Sequence, residues 1–364
     1  AAAGGAAAAG GPPVGKGLPL LEDLDLALCG KVRPGHLEDL LAVPAPPPLA
    51  ALNLKGCWLF DDLCAALVAR QCPALRALNL SGCDFVTGEG LRLLATGLIY
   101  LEDTSFCRLN RLTDEDIFAL VSSRSSTLKQ VALSMCDNIT TQAAVTLCLQ
   151  CKLTSLNISS CKGVNAVGLF RQVADQSDRE APLSELTVLN VKNCGEMNDE
   201  GLRLLLEPNC CGARNLELLY VGGSKIISYV TEDAKFGEFL PKQQGVGHKV
   251  TDAGLARAAD LLRAGPRRAG LEALDLEGCA AVRGPGLLRL LRAAPRLRKL
   301  GLRSLSSISD DVADFIQHNL PKLQELDISN TGVAPARLER LRRARGASLR
   351  RLIYESARRI TLPH

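Results

Sequence analysis

The sequence predicts an α/β solenoid: a curved parallel sheet inside, helices outside, and about twelve repeats in line. Three observations predict it. The pattern L-x-x-L-x-L-x-x-C recurs, it recurs at a nearly constant period, and each copy is followed by a segment with helical spacing of apolar residues. The pattern reads LEDLDLALC from Leu21, LAALNLKGC from Leu49, LRALNLSGC from Leu75, LKQVALSMC from Leu128, LTSLNISSC from Leu153, LTVLNVKNC from Leu186 and LEALDLEGC from Leu271. Weaker copies start at Leu101, Leu216, Leu297, Leu323 and Leu349. Successive starts lie 28, 26, 26, 27, 25, 33, 30, 55, 26, 26 and 26 residues apart. A fixed period of this size is the mark of a repeat architecture.

The elements follow in chain order. Residues 1–20 are a low-complexity Ala/Gly/Pro segment, and residues 21–364 form the solenoid. Within each repeat the L-x-x-L-x-L half alternates apolar and polar residues, which is strand periodicity. The Cys then closes a turn. Segments such as VTGEGLRLLATGL and VTDAGLARAADLL follow, where Thr, an acid or Gly and apolar residues at helical spacing announce a helix start. Neither half buries its apolar face alone, so neighbours must stack. Twelve strands at about 4.8 Å spacing make an inner arc of roughly 50–55 Å. Two departures stand out. Repeat eight carries an insertion at about 224–247, SKIISYVTEDAKFGEFLPKQQGVG, with seven apolar residues. A polar stretch at 172–185, read as an exposed loop, lengthens repeat six.

Composition agrees with a packed domain. Of 364 residues 47% are hydrophobic and 23% charged, which excludes wholesale disorder, and no apolar run is long enough for a transmembrane helix. The net charge of +4 hides an asymmetry: residues 1–248 hold 21 basic and 27 acidic side chains, a net of −6, and residues 249–364 hold 22 and 12, a net of +10.

With its motifs in view, the chain resembles the cysteine-containing leucine-rich repeat class found in F-box/LRR ubiquitin-ligase receptors and their F-box-less relatives. The resemblance spans about residues 18–364. It rests on the 26-residue period, the Cys at position nine, and an (I/V)TDxGL element seen as VTDAGL (250–255), LTDEDI (112–117), MNDEGL (197–202) and VTGEGL (86–91). It implies a protein–protein interaction scaffold and, more finely, the substrate-recognition part of an SCF-type ubiquitin ligase. An F-box is not visible in this chain; one lying upstream of Ala1 would add a ligase core as partner. The alternatives are a structural subunit of a large assembly and a small-ligand sensor of the hormone-receptor type.

Chemistry-bearing motifs are sparse. Position nine holds Cys29, Cys57, Cys83, Cys136, Cys161, Cys194 and Cys279, read as buried reduced thiols and hence as a sign of the cytoplasm or nucleus. The Cys148–Cys151 pair lacks the second CxxC or nearby histidines of a zinc site. Gly10–Gly17 fits GxxxxGK but lacks the following Ser/Thr and a flanking strand. Asn138 and Asn157 match glycosylation acceptors but lie inside repeats. These readings describe a non-enzyme with no cofactor, metal or catalytic residue, acting on protein partners and neither on nucleic acid nor in a membrane.

Positions three, five and seven face the concave side. Position five is mostly Asn or Asp, read as consensus. Repeats seven and eight depart from it with Val188 and Leu218 at position three, Tyr220 at position five and Lys192 at position seven. An aromatic anchor among apolar neighbours is the pattern of a binding hot spot. Together with Tyr229, Phe236 and Phe239 of the insertion, these residues form the candidate partner site. The Arg-rich end, with Arg340, Arg343, Arg345, Arg350 and Arg351, is a candidate patch for an anionic partner, weighed against a solvated terminal cap.

Overall fold

A computed structural model describes residues 21–41, 48–176, 181–195, 197–223, 250–264, 270–346 and 348–354. The elements alternate strictly. The first half runs β1 (Asp23–Asp25), α1 (Pro34–Leu41), β2 (Ala51–Asn53), α2 (Asp62–Gln71), β3 (Ala77–Asn79), α3 (Gly88–Gly97), β4 (Asp103–Ser105), α4 (Asp114–Arg124), β5 (Gln130–Ala132), α5 (Thr141–Gln150), β6 (Ser155–Asn157) and α6 (Ala166–Gln176). The second half runs β7 (Val188–Asn190), α7 (Asp199–Leu206), β8 (Leu218–Tyr220), α8 (Asp252–Ala264), β9 (Ala273–Asp275), α9 (Gly284–Ala293), β10 (Lys299–Gly301), α10 (Asp310–Asn319), β11 (Glu325–Asp327), α11 (Pro335–Arg345) and β12 (Arg351–Ile353). The twelve strands form one parallel sheet in sequence order. Every pair is in the register of the repeat, so Val188, Leu218 and Ala273 are neighbours, as are Asn190, Tyr220 and Asp275.

The leucines at positions one, four and six point between sheet and helices and make one continuous core, for example Leu153, Leu156 and Ile158. Position eight turns the chain through left-handed backbone. Glycine occupies it in Gly56, Gly82 and Gly278, at φ of 73–74°, but Leu28, Arg108 and Met135 adopt the same conformation at φ of 61–64°.

Two polar devices join consecutive repeats. The first explains the position-nine cysteine. Its thiol donates to the position-six carbonyl of the preceding repeat: Cys57 to Leu26 at 3.1 Å, Cys83 to Leu54 at 3.2 Å, Cys136 to Phe106 at 3.2 Å, Cys161 to Leu133 at 3.0 Å and Cys194 to Ile158 at 2.8 Å. A small side chain with a weak donor thus satisfies a buried carbonyl. Cys29 corrects the expectation of uniform burial. It is exposed, because it belongs to the first repeat and has no preceding carbonyl among the described residues.

The second device explains the TDxGL element. The Thr caps its own helix, and the Asp one residue on reaches the next repeat's Thr. Asp62 accepts from Thr87 N at 2.8 Å and Thr87 Oγ1 at 2.6 Å; Asp199 accepts from Thr251 N at 2.7 Å and Thr251 Oγ1 at 2.6 Å; Asp114 holds Thr140 in the same way. The Gly leaves the room: a Cβ on Gly254 would sit 2.0 Å from Asp199 Oδ1, and one on Gly90 would sit 2.3 Å from Asp62 Oδ1. The Asp199–Thr251 contact and the β8–β9 pairing both cross the insertion of repeat eight, so the flanking repeats keep their stacking. The polar stretch 172–185 is not simply an exposed loop: α6 runs on to Gln176, and Leu183 is buried with its N–H donating to the Cys211 carbonyl.

Two outcomes are expected for the stacking. Leu156→Asp places a carboxylate in the dry core and is expected to cost several kcal/mol and unfold the array, seen as loss of the circular-dichroism melt. Gly254→Ala pushes Asp199 off Thr251 and is expected to cost about 2 kcal/mol in urea denaturation, the scale of leaving buried hydrogen bonds unmade.

Candidate partner-binding surface

On most strands the concave face has a repeated internal use. The position-five carboxamide or carboxylate accepts from the backbone N–H two residues on. The bonds are Asp25 to Ala27 (2.8 Å), Asn53 to Lys55 (3.1 Å), Asn79 to Ser81 (3.0 Å), Asn157 to Ser159 (3.1 Å), Asn190 to Lys192 (3.2 Å), Asp275 to Glu277 (2.9 Å) and Asp327 to Ser329 (3.0 Å). Such turns spend the side chain on its own backbone. The Asn/Asp column is therefore architectural.

Tyr220 breaks that column. It stands half-buried on β8 beside Leu218, and Val188 pairs with Leu218 from β7, also half-buried. Over β1 to β11 the other position-three and position-five residues are small or polar. Burial pushes the Tyr220 phenol up, with Asp275 and Glu325 adding to it and Lys299 and Lys192 opposing. The phenol is thus a neutral hydrogen-bond donor next to an apolar pair.

Lys192 occupies this surface differently from the expectation. Its ammonium reaches across repeat eight to Asp275 at 2.7 Å and Glu277 at 2.9 Å. Position seven of repeat eight is Gly222, which the Glu277 backbone approaches so closely that a Cβ there would lie 2.6 Å from its N. The three side chains are only 14–21% exposed, so the lysine is a paired floor beside Tyr220. Burial lowers the Lys192 pKa but both carboxylates raise it, and the net direction is up. Tyr229, Phe236 and Phe239 lie outside the described residues; the chain leaves at Gly223 and returns at Val250, at the end of β8 and the start of α8.

The Arg-rich end is not one patch. Arg345 is folded inward: Nη1 and Nη2 donate to the carbonyls of Ile316, Gln317, Leu320, Pro321 and Leu323 at 2.8–3.4 Å, and Nε donates to Ser348. It closes the end of α10 and serves no external anion. Arg340 and Arg343 are on α11, Arg351 is on the concave strand β12, and Arg350 is on the rim before that strand. The five arginines are thus divided between the outer helix α11, the rim and the strand β12.

One feature escaped the sequence pattern. The large apolar side chains that are most exposed among the described residues all belong to the first five repeats: Leu28, Trp58, Leu63, Phe85, Ile99, Tyr100 and Met135. Leu28, Trp58, Phe85 and Met135 follow strand ends and lie along one rim. Arg111 lies over the Phe85 ring at 5.6 Å. Leu and Met at the position-eight turn, where Gly is the economical choice, were the available signal.

A family model described as Leucine Rich repeat matches residues 71–95, 150–170 and 184–206. The chain carries leucine-rich repeats, and its fold is that of a leucine-rich repeat solenoid. The DNA repair protein rhp7 of Schizosaccharomyces pombe is 25% identical over 291 residues, which are 72% of this chain and 46% of that protein. The chain therefore spans about half the length of this curated relative. The crystal structure of the Rad7 and Elc1 complex in yeast contains a chain that superposes with a TM-score of 0.55 at 15% identity, covering 91% of this leucine-rich repeat chain and 86% of that one. That likeness is one of fold. No helix among the described residues is long and apolar enough to cross a membrane.

The buried thiols yield a pH-dependent outcome. Burial pushes Cys83, Cys136 and Cys194 up from the ordinary 9.0 to about 12. A thiol whose pKa is raised on folding stabilises the fold below the unfolded value and loses that contribution as pH rises through the folded one. Stability is expected to hold up to about pH 9 and to fall between there and about pH 12 in denaturant melts. At pH 8, peptide-resolved alkylation of folded protein is expected at exposed Cys29 and half-buried Cys107 and Cys210, with Cys83, Cys136 and Cys194 modified only after unfolding.

Proposed function

We propose that this chain is a non-catalytic scaffold for protein–protein interaction, and that its partner sits on the concave face at repeats seven and eight. The observation that carries the reading is the Val188–Leu218–Tyr220 cluster, set on a paired Lys192–Asp275–Glu277 floor in an otherwise small and polar concave column. An aromatic with one polar tip beside two aliphatic side chains is suited to a desolvated contact with a protein surface. Tyr229, Phe236 and Phe239 belong to the same proposal, as the insertion leaves the sheet directly after β8.

The finer reading is substrate recognition within an SCF-type ubiquitin ligase. The resemblance of the repeats to F-box/LRR receptors supports it. So does the fold shared with Rad7, a protein crystallised together with Elc1, which makes a protein partner the natural expectation for this solenoid. The thiol ladder of position nine supports a reducing compartment, cytoplasm or nucleus. A second reading is favoured by the rim of repeats one to five: Leu28, Trp58, Phe85 and Met135 present a row of exposed apolar side chains next to Arg108 and Arg111, suited to an independent protein contact.

Tyr220→Ala is expected to weaken partner binding at least about tenfold, a loss of about 1.4 kcal/mol or more, with little change in melting temperature. Replacing 226–246 with a short Gly/Ser bridge is expected to leave the solenoid folded, since the stacking contacts bypass it, and to weaken binding. Affinity-captured partner, titrated against both variants and Trp58→Ala, decides between the two faces. Normal binding by Tyr220→Ala with loss in Trp58→Ala moves the site to the rim.

A further inference from the structure

The rim formed by the residue before each strand shows the same arrangement twice, once complete and once with its centre missing. In repeats three to five, position two reads Arg76, Glu102, Lys129. Glu102 lies between the two cations, 2.5 Å from Arg76 Nη1 and 2.6 Å from Lys129 Nζ, and both neighbours hold its carboxyl below the usual range. In repeats ten to twelve, position two reads Arg298, Gln324, Arg350. The backbone pairing is the same: Glu102 N donates to Arg76 O and Gln324 N to Arg298 O, each at 2.8 Å. The central group is now a neutral amide. Two residues earlier a further change adds charge, with Lys322 in the place of Tyr100, whose ring packs under Arg76 at 5.6 Å.

At this place lies a notch of about 350 Å³ lined by Arg298, Pro321, Lys322, Gln324, Ser348 and Arg350. One of the lining cations is already paired: Glu272 lies 3.3 Å from Arg298 Nε. Ser348 is engaged with Arg345 through Nε at 2.9 Å. Three lining cations, one of them paired with a carboxylate, leave two positive charges around the notch. We propose that this notch binds a phosphate monoester dianion carried by a protein partner, with Arg298, Lys322 and Arg350 as its ligands and Gln324 as a hydrogen-bond donor. A phosphate monoester carries a charge of about −1.5 to −2 at neutral pH, against −1 for a carboxylate. Arginine forks match its oxygens. A nucleic-acid strand fits less well: the notch is lined by no aromatic ring on which a base could stack, and Glu272 of repeat nine pairs with its Arg298. Phosphate capture stands on the notch alone; its delivery by a protein partner rests on the scaffold reading.

The full chain titrated with N-acetyl-O-phosphoserine amide, followed by calorimetry and by NMR shifts, tests the proposal. The phosphorylated compound is expected to bind and its unphosphorylated form not to, with affinity falling as pH drops through about 6 and the dianion is lost. Gln324→Glu restores the internal anion of repeats three to five. It is expected to weaken binding at least about tenfold with an unchanged melt, and Lys322→Ala and Arg350→Ala are expected to weaken it too. Equal affinity in wild type and Gln324→Glu overturns the proposal, as does the absence of binding by the wild type. Tighter binding of a single-stranded oligonucleotide through the same three cations also overturns it and assigns the notch to nucleic acid. Because the small compound requires no partner, a failure of the scaffold reading leaves this result distinguishable.

Discussion

Everything in this molecule depends on one constraint: no repeat can bury its apolar face or satisfy its polar groups alone. A three-residue strand and a helix of eight to thirteen residues are too short to stand by themselves. Stacking solves the apolar part through the leucine core. The polar part is solved at five joints by the position-nine thiol, which meets the previous repeat's carbonyl, and at several joints by the Asp–Thr contact between helix starts. Both are short-range and directional. They set the register of neighbours, so the whole sheet inherits its alignment from contacts made one repeat at a time.

Such redundancy lets some repeats change without loss of the stack. At α3 the usual Asp is Gly88. Asp116 of the next repeat fills the space instead, accepting from Thr113 N and Oγ1 at 3.0 Å and from Arg92 at 2.9 Å. Repeat eight carries the larger change: an insertion between strand and helix, a tyrosine in place of the turn-forming Asn, and a glycine at position seven. The three go together physically. Gly222 lets the Glu277 backbone come close, and Lys192 reaches Asp275 and Glu277, tying repeats seven and nine together over the place where repeat eight has lost its turn hydrogen bond. A surface released from its architectural duty is thereby held rigid, which lowers the entropy a bound partner must offset.

The electrostatics follow the same logic of local departure. The basic end does not act as a uniform field. Arg345 is consumed by five carbonyls, Arg340 and Arg343 belong to the outer helix, and Arg350 joins Arg298 and Lys322 at the rim. A count of arginines distinguishes none of these uses.

The repeat, its period, the strand and helix halves, the twelve units and the inward leucines were all legible in the sequence, because each is dictated by spacing along the chain. So were the departures at Val188, Leu218 and Tyr220, since a position in the repeat fixes which way a residue faces. The reasons for the motifs were not. That the cysteine at nine answers a carbonyl some thirty residues back, or that the Gly of TDxGL makes room for another repeat's Asp, depends on contacts between repeats. The burial of Leu183, the inward turn of Arg345 and the pairing of Lys192 with Asp275 and Glu277, 83 and 85 residues away, were decided by the same contacts. Periodicity determines direction; only stacking determines what a side chain meets there, and a charge or a thiol takes its role from what it meets.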